Sequence, residues 1–157
     1  CLYFGLMLTE TGPKVIEYNC RFGDPEAQVV LPLLETDLLT VMEAVTQKRL
    51  SDISVSFRKG SACCVIAASG GYPGKYETGF PIKGLSDGQL PGVSVFHAGT
   101  KRTEDGPVTA GGRVLGVTGT GDTLKEAAAQ AYAAMENICF SGMHYRKDIG
   151  EKALQAT

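Results

Sequence analysis

The chain has 157 residues, enough to bury a core as one large domain or two small ones, and its 43% hydrophobic and 20% charged residues are ordinary for a globular protein. Its fifteen basic and seventeen acidic residues give a net charge of −2, without the positive excess of proteins that bind nucleic acids or anionic membranes. We therefore expect no nucleic-acid partner and no membrane partner, and a phosphate-bearing ligand has to be bound by local groups.

The cysteines and the first residues bear on the compartment and on the extent of the chain. The five cysteines have neither CxxC nor Cys/His zinc spacing, so we expect free thiols and a cytoplasmic protein. The opening "CLYFGLML" is too short for a membrane span and is typical of a core strand. Because no initiator methionine is present, we expect the chain to be a fragment of a longer protein.

The first predicted elements are a hairpin and two helices. Strands over Cys1–Thr9 and Lys14–Asn19 flank the turn "TETGPK". The stretch "DPEAQVVLPLL" has a helix-start pattern, with Asp24 as the N-cap, Pro25 in the first helical position and Pro32 at the end. A second helix follows Thr36-Asp37, and its apolar face is formed by Leu38, Val41, Met42 and Val45.

The composition changes near residues 51–61. Fifteen of the twenty glycines lie between Gly60 and Gly121, a density that favours short strands and tight turns. The predicted strands are Ala62–Ala68, Phe80–Lys83, Val93–Gly99 and Arg113–Thr118. A helix in "GDTLKEAAAQAYAAMENI" has capping-box spacing at Thr123 and Glu126, and one face formed by Leu124, Ala128, Ala131, Met135 and Ile138.

These elements predict an α+β fold in two parts. Residues 1–55 are interpreted as the end of an α/β domain made of antiparallel strands and helices. Residues 56–157 are interpreted as a small β-rich, barrel-like domain with one packed helix.

The stretch "VIEYNCRFGDPEAQ" concentrates polar chemistry at a strand end. Glu17 and Asn19 are two residues apart and share one strand face, whereas Ile16 and Tyr18 are expected to point into the core. A carboxylate and an amide oxygen are ligands that Mg²⁺ accepts, and the fork of Arg21 suits a phosphate or carboxylate.

Structural roles for the same residues stay open at this stage. An E-x-N pair on a strand is more often a solvated face than a metal site. Arg21 could brace Asp24 or Glu26, and Asp24 is most simply a helix cap. Only the combination of these residues on a strand, a turn and a helix favours the functional interpretation.

The segment "GPKVIEYNCRFGDPEAQ", followed by "FHAGT", "GGRVLGVT" and "YRKDIG", resembles the glycinamide ribonucleotide synthetases, or phosphoribosylamine–glycine ligases, of the ATP-grasp superfamily. The resemblance covers nearly the whole chain. It implies that residues 1–55 are the carboxy-terminal part of an ATP-grasp catalytic domain. The implied reaction of de novo purine biosynthesis uses ATP, glycine and 5-phosphoribosylamine and passes through glycyl phosphate to glycinamide ribonucleotide, ADP and phosphate.

The resemblance also implies roles for single residues. Glu17 and Asn19 correspond to ligands of Mg²⁺ or Mn²⁺, and Arg21 corresponds to a catalytic arginine by analogy with the related biotin carboxylases. Asp24, Arg113 and Arg146 are candidates for binding substrate or its phosphate, although structural salt bridges explain both arginines equally well. His97 is interpreted as a hydrogen-bonded strand residue. Because further catalytic domains are expected upstream, the isolated chain should be inactive.

Two other functions stay open. The chain could be a non-catalytic assembly module of a larger purine-biosynthesis enzyme, or part of a related ATP-grasp carboxylase. The intact E-x-N-x-R set favours catalytic ancestry, and the sequence "FGDPE" after it differs from that of the carboxylases.

Overall fold

A computed structural model describes residues 1–85 and 90–155, so residues 86–89 and 156–157 of the predicted second part lie outside the described residues. The strands are β1 (Tyr3–Thr9), β2 (Gly12–Asn19), β3 (Ser61–Ala68), β4 (Val93–His97), β5 (Thr100–Thr103), β6 (Gly106–Thr109) and β7 (Arg113–Gly121). The helices are α1 (Ala27–Val30), α2 (Leu38–Thr46), α3 (Leu124–Met135) and α4 (Glu151–Gln155). All strand pairs are antiparallel, which confirms a mixed fold of antiparallel sheets with few helices.

Strands β1 and β2 form the predicted hairpin, a separate two-stranded sheet. The expectation that Ile16 and Tyr18 point into a core is wrong, because their side chains are 63% and 66% exposed. The first strand is not a core strand either, since Leu8 is 83% exposed. The physical reason is that, in the described residues, no third strand pairs with the hairpin, so its apolar side chains have little to pack against.

Two short helical segments follow the hairpin. Helix α1 ends at Val30, and Pro32 lies in a 3₁₀ turn over Leu31–Leu33, so the predicted stop at this proline is confirmed. Helix α2 begins after Asp37, whose carboxylate accepts a hydrogen bond from the Thr40 backbone N–H at 2.8 Å.

The centre of the molecule is a three-stranded sheet covered by α3. Strand β7 lies between β3 and β4, and it carries the fully buried side chains of Val114, Leu115 and Val117. Helix α3 begins at the predicted capping box, in which Thr123 and Glu126 hydrogen-bond each other's backbone N–H groups. Of its predicted apolar face, Ala128, Ala131 and Met135 are buried in the core and Leu124 is partly buried. Ile138 is also buried, but it lies beyond the end of the helix.

Glycine in β7 allows this helix to approach the sheet closely. A Cβ atom added at Gly119 would collide with the carbonyl oxygen of Ala127 and lie 2.6 Å from the backbone nitrogen of Ala131. The glycine-rich composition therefore supports helix packing as well as turns.

Two predictions about the strands need correction. The segment Phe80–Lys83 is not a strand, since it makes only isolated bridges from Pro81 to Val108 and from Lys83 to Cys139, and a proline cannot donate a ladder hydrogen bond. The β5–β6 hairpin was not predicted. A barrel-like sheet is not confirmed, because the described strands form no closed sheet and β3 and β4 remain edges of the sheet order β3-β7-β4.

The described helices are all short. The longest, α3, has 12 residues, and no described helix combines the length and apolar character that crossing a membrane requires.

Candidate metal and substrate site

The end of β2 places two oxygen-bearing side chains next to each other. Glu17 is paired with Gly5 and Asn19 with Tyr3, so both side chains lie on the same face of the hairpin. The Asn19 Nδ2 atom donates a hydrogen bond to Glu17 Oε1 at 3.1 Å. The predicted shared face is thus confirmed, and the exposed carboxylate of Glu17 is accessible to a ligand.

The donor set fits part of a magnesium shell. A half-turn of the Asn19 amide exchanges its nitrogen and oxygen, which have nearly the same shape, and brings two oxygens side by side. Mg²⁺ commonly takes one or two protein ligands and completes its shell with phosphate oxygens and water. Among the described residues there is no group of three or more histidine, cysteine, aspartate or glutamate side chains arranged for a metal. Glu17 and Asn19 could therefore supply two ligands but not a complete site.

The turn after β2 is compact and does not have the predicted helix cap. Helix α1 begins at Ala27 with Glu26 in the cap position, and no side chain caps it, so Asp24 is not its N-cap and Pro25 is not its first residue. The Ala27 backbone N–H instead donates to the Gly23 carbonyl at 3.0 Å.

Asp24 is unavailable as a cap because its carboxylate has other partners. Its Oδ1 atom accepts a hydrogen bond from Gln28 Nε2 at 2.7 Å. Its Oδ2 atom forms an ion pair with Arg113 Nη2 at 3.0 Å, and its carbonyl oxygen accepts from Arg113 Nη1 at 2.9 Å. Two of the predicted substrate-binding residues thus meet each other, although they are 89 positions apart in the sequence.

Arg21 follows the metal candidates and is the first residue of this turn. Its Nη1 atom donates to the Phe22 carbonyl at 2.8 Å, and its side chain is exposed. In the part of the chain that the structure describes, it forms no ion pair with Asp24 or Glu26, so the bracing alternative is not what is observed. Of its five N–H donors, the hydrogen bonds among residues 1–85 and 90–155 engage one, the Nη1 donor to Phe22.

Arg146 forms a separate two-pronged ion pair. Its Nε and Nη2 atoms donate to the two carboxylate oxygens of Asp148 at 2.9 and 2.6 Å. These hydrogen bonds hold the pKa of the Asp148 carboxyl below its ordinary value. No described contact links Arg146 to Glu17, Asn19 or Arg113.

His97 is a hydrogen-bonded strand residue, as predicted, because its Nδ1 lies 3.0 Å from Thr100 Oγ1.

A shallow cavity of about 430 Å³ lies elsewhere, between Gly70–Phe80 and Ser141–Gly142. None of the predicted site residues lines it, so the cavity and the polar chemistry at the end of β2 do not coincide.

The sequence alone did not indicate three residues that support the turn. The Gln28 carbonyl accepts a hydrogen bond from Thr118 Oγ1 at 2.9 Å, which joins α1 to β7. The pKa of Tyr3 is raised by burial and then by the neighbouring carboxylate of Glu26, which indicates that the two side chains are close. The register of the predicted hairpin could have indicated Tyr3, whereas no local pattern indicates Thr118 or Gln28.

Family models match two stretches of the chain. Residues 62–152 match the model described as "Phosphoribosylglycinamide synthetase, C domain", and residues 1–27 match "Phosphoribosylglycinamide synthetase, ATP-grasp (A) domain". The second match contains the strand and turn that carry Glu17, Asn19 and Arg21.

Relatives extend the similarity over nearly the whole chain. The chain is 52% identical over 155 residues to a phosphoribosylamine–glycine ligase of Synechocystis sp., with 98% of this chain and 37% of the relative covered. It is 51% identical over 154 residues to the trifunctional purine biosynthetic protein adenosine-3 of Gallus gallus, with 98% and 15% covered. The chain thus spans little more than a third of the first relative's length.

A solved structure shares the fold. The crystal structure of the phosphoribosylamine–glycine ligase from Thermotoga maritima matches with a TM-score of 0.74 and 37% identity, and the match covers 94% of this chain and 36% of that one.

Proposed function

Because the chain belongs to the phosphoribosylglycinamide synthetase family, we propose that it is the carboxy-terminal part of a phosphoribosylamine–glycine ligase. Such an enzyme joins glycine to 5-phosphoribosylamine and forms glycinamide ribonucleotide, ADP and phosphate in purine biosynthesis. In this proposal ATP phosphorylates the glycine carboxylate, and the amine of phosphoribosylamine attacks the glycyl phosphate. The observation that carries the proposal is the hydrogen-bonded Glu17–Asn19 pair, followed two residues later by the exposed Arg21.

Each of these residues has a role that fits phosphoryl transfer. Glu17 and Asn19 would hold a divalent cation, Mg²⁺ or Mn²⁺, together with the phosphates of ATP. The cation, when bound, would neutralise charge on the transferring phosphoryl group. The exposed guanidinium of Arg21 would donate to the phosphoryl or carboxylate oxygens and orient them.

We assign the remaining candidates to the substrate side. An arginine has five N–H donors, so Arg113 and Arg146 retain donors for a phosphate while each is paired with a carboxylate. Asp24 follows Arg21 by three residues and is the candidate for contact with the amine end of a substrate. The two ion pairs are partly exposed, which is compatible with ligand access.

The rest of the synthetase would cover the hairpin. Its strands expose Phe4, Leu6, Leu8, Ile16 and Tyr18 by half or more, which is unusual for a stable two-stranded sheet. We infer that upstream domains of the same enzyme pack there and supply the remaining metal ligands and the grip on ATP.

The two-domain division and the compartment are also proposals. The family models match on opposite sides of residues 28–61, which supports an ATP-grasp portion over 1–55 and a small β-rich domain over 56–157. All five cysteines are free, which supports a reducing compartment such as the cytoplasm.

A non-catalytic assembly module is the second candidate, because the described residues supply only two ligands of a metal site. A related carboxylase has less support, since the curated relatives named above are ligases or purine biosynthetic proteins. ADP release separates these possibilities. It should depend on glycine for the ligase and on bicarbonate for a carboxylase, and a non-catalytic module should support no such release.

The test uses a hybrid in which this chain replaces the matching carboxy-terminal part of the Synechocystis relative, to which it is 52% identical. ADP release is measured with ATP, Mg²⁺, glycine and freshly prepared phosphoribosylamine, for the hybrid, for the 157-residue chain and for the truncated relative.

We expect ADP release by the hybrid only when both glycine and phosphoribosylamine are present. We expect none from the isolated chain or from the truncated relative. A soluble, folded hybrid that releases ADP without regard to glycine would refute the proposed function, and glycine-dependent turnover by the chain alone would refute the need for upstream domains.

A further inference from the structure

The hairpin that carries Glu17 and Asn19 has few contacts with the rest of the molecule, so something must set its position. Among the described elements, β1 and β2 contact each other extensively, whereas the segment after them reaches the sheet. The position of the metal candidates relative to the sheet therefore depends on the turn Arg21–Glu26.

Arg113 holds this turn from the sheet side. It contacts both the carboxylate and the main-chain carbonyl of Asp24, at 3.0 and 2.9 Å, so two parallel contacts fix the orientation of one residue. A lysine carries its three donors on a single nitrogen, so it does not reproduce the planar fork whose two nitrogens contact these two oxygens.

Arg113 is itself well anchored. It is the first residue of β7, and the next two side chains, Val114 and Leu115, are fully buried in the core. Its carbonyl oxygen accepts a hydrogen bond from the Gly99 backbone N–H at 2.8 Å. The guanidinium thus extends from the central strand of the sheet toward the turn.

We propose that Arg113 and Asp24 form a positioning pair, which fixes the turn after β2 against the sheet and keeps Glu17, Asn19 and Arg21 in catalytic register. This role is separate from any contact of either residue with substrate, and it rests on the proposed function. It matters because displacement of a reacting group by about 1 Å can reduce turnover on the order of 100-fold.

Two further contacts fit this role. Thr118 in the same strand donates to the Gln28 carbonyl, so β7 also holds the first turn of α1. On the other side of the turn, the pKa of Tyr3 in β1 is raised by burial and then by the carboxylate of Glu26. The contacts that hold the turn against the sheet are those of Arg113 and Thr118, both in β7.

The first experiment measures the turn itself, in the 157-residue chain, by amide hydrogen exchange. The reporters are the Ala27 and Val30 N–H groups, which donate to the Gly23 and Glu26 carbonyls. Asp24→Asn keeps the shape and removes the charge, and Asp105→Asn, in the exposed β5–β6 turn, is the matched control. We expect exchange about fivefold faster in Asp24→Asn, as for loss of a partly exposed ion pair, and no change in the control.

The second experiment measures kinetics in the hybrid. We expect Asp24→Asn and Arg113→Gln each to lower kcat about tenfold, as for a partly misplaced reacting group, while KM for ATP and KM for glycine stay within about twofold. The double variant should be no slower than the slower single variant, because either substitution alone releases the turn. Arg113→Lys should recover only part of the rate.

Unchanged exchange in Asp24→Asn would overturn the positioning pair, whatever the hybrid does. Two kinetic results would overturn it in favour of separate substrate contacts. In the first, the losses of kcat in the two single variants add up in the double variant. In the second, Arg113→Gln raises only the KM for phosphoribosylamine and Asp24→Asn has no effect. An unsubstituted hybrid without glycine-dependent ADP release would instead refute the proposed function, and the exchange data would still decide whether the pair holds the turn.

Discussion

At the scale of single residues, the charged side chains predicted for the site, and the partner of Arg146, differ in the contacts that they make. The carboxylate of Asp24 is held by Arg113 and Gln28, and the carboxylate of Asp148 is held by Arg146. The guanidinium of Arg21, in contrast, donates one hydrogen bond to the backbone carbonyl of Phe22. An exposed arginine that follows two candidate metal ligands is suited to bind the oxygens of a phosphoryl group.

This difference gives a prediction for Arg21. In the hybrid synthetase, Arg21→Lys should lower kcat on the order of tenfold to 100-fold, because a point charge does not reproduce a preorganised two-pronged contact. Arg58→Lys, at an exposed position outside the candidate site, is the control and should retain the full rate. Equal rates for the two variants would remove Arg21 from the catalytic machinery.

A second prediction concerns the Arg146–Asp148 pair. Because Arg146 lowers the pKa of the folded Asp148 carboxyl, the pair stabilises the fold above the unfolded carboxyl's pKa of about 3.9. That contribution is lost as the pH falls through the folded pKa. A carboxyl NMR titration should give a pKa for Asp148 below the ordinary value, and Arg146→Gln should raise it. A pKa that does not change in the variant would show that the ion pair is absent in solution.

At the scale of elements, the contact between α3 and β7 depends on the absence of a side chain. Gly119→Ala would place a methyl group against the backbone of Ala127 and Ala131, neither of which can rotate away. We expect a loss of stability of roughly 1–3 kcal/mol, as for an overpacked core. Urea unfolding of the chain measures it, with Gly74→Ala, whose added Cβ would lie 3.1 Å from the Gly71 carbonyl, as a milder comparison. Equal midpoints would mean that the helix does not pack this closely.

The elements also show what a sequence pattern can predict. The capping box at Thr123 and the alternation of Glu17 and Asn19 are local signals, and the structure confirms both arrangements. The Asp24 cap failed because its carboxylate binds Arg113, a partner 89 positions away that competes with the local helix start. No local pattern records such a contact, and Phe80–Lys83 was likewise mistaken for a strand because apolar runs do not specify pairing.

At the scale of the whole molecule, the two regions differ in how well they are buried. The sheet β3-β7-β4 and α3 share one core, whereas the hairpin and α2 leave large apolar side chains exposed, including Leu8 at 83% and Leu39 at 63%. This contrast agrees with a chain that spans 37% of the Synechocystis relative and 36% of the Thermotoga maritima structure. The sequence predicted the hairpin and the shared face of Glu17 and Asn19. The exposure of the hairpin's apolar side chains could not be predicted, because burial depends on which other elements pack against a strand, and a local pattern does not record them.

The central claim is that Glu17 and Asn19 bind the divalent cation of the synthetase, and Mn²⁺ binding tests it most directly. The EPR signal of free Mn²⁺ is recorded while the hybrid is titrated in the presence of ADP. Glu17→Gln and Asn19→Ala should each weaken Mn²⁺ binding about tenfold or more, since a site of few protein ligands loses much with each one. Glu10→Gln, in the exposed hairpin turn, should bind Mn²⁺ as the unsubstituted hybrid does. The same Mn²⁺ affinity in all four proteins would contradict the assignment.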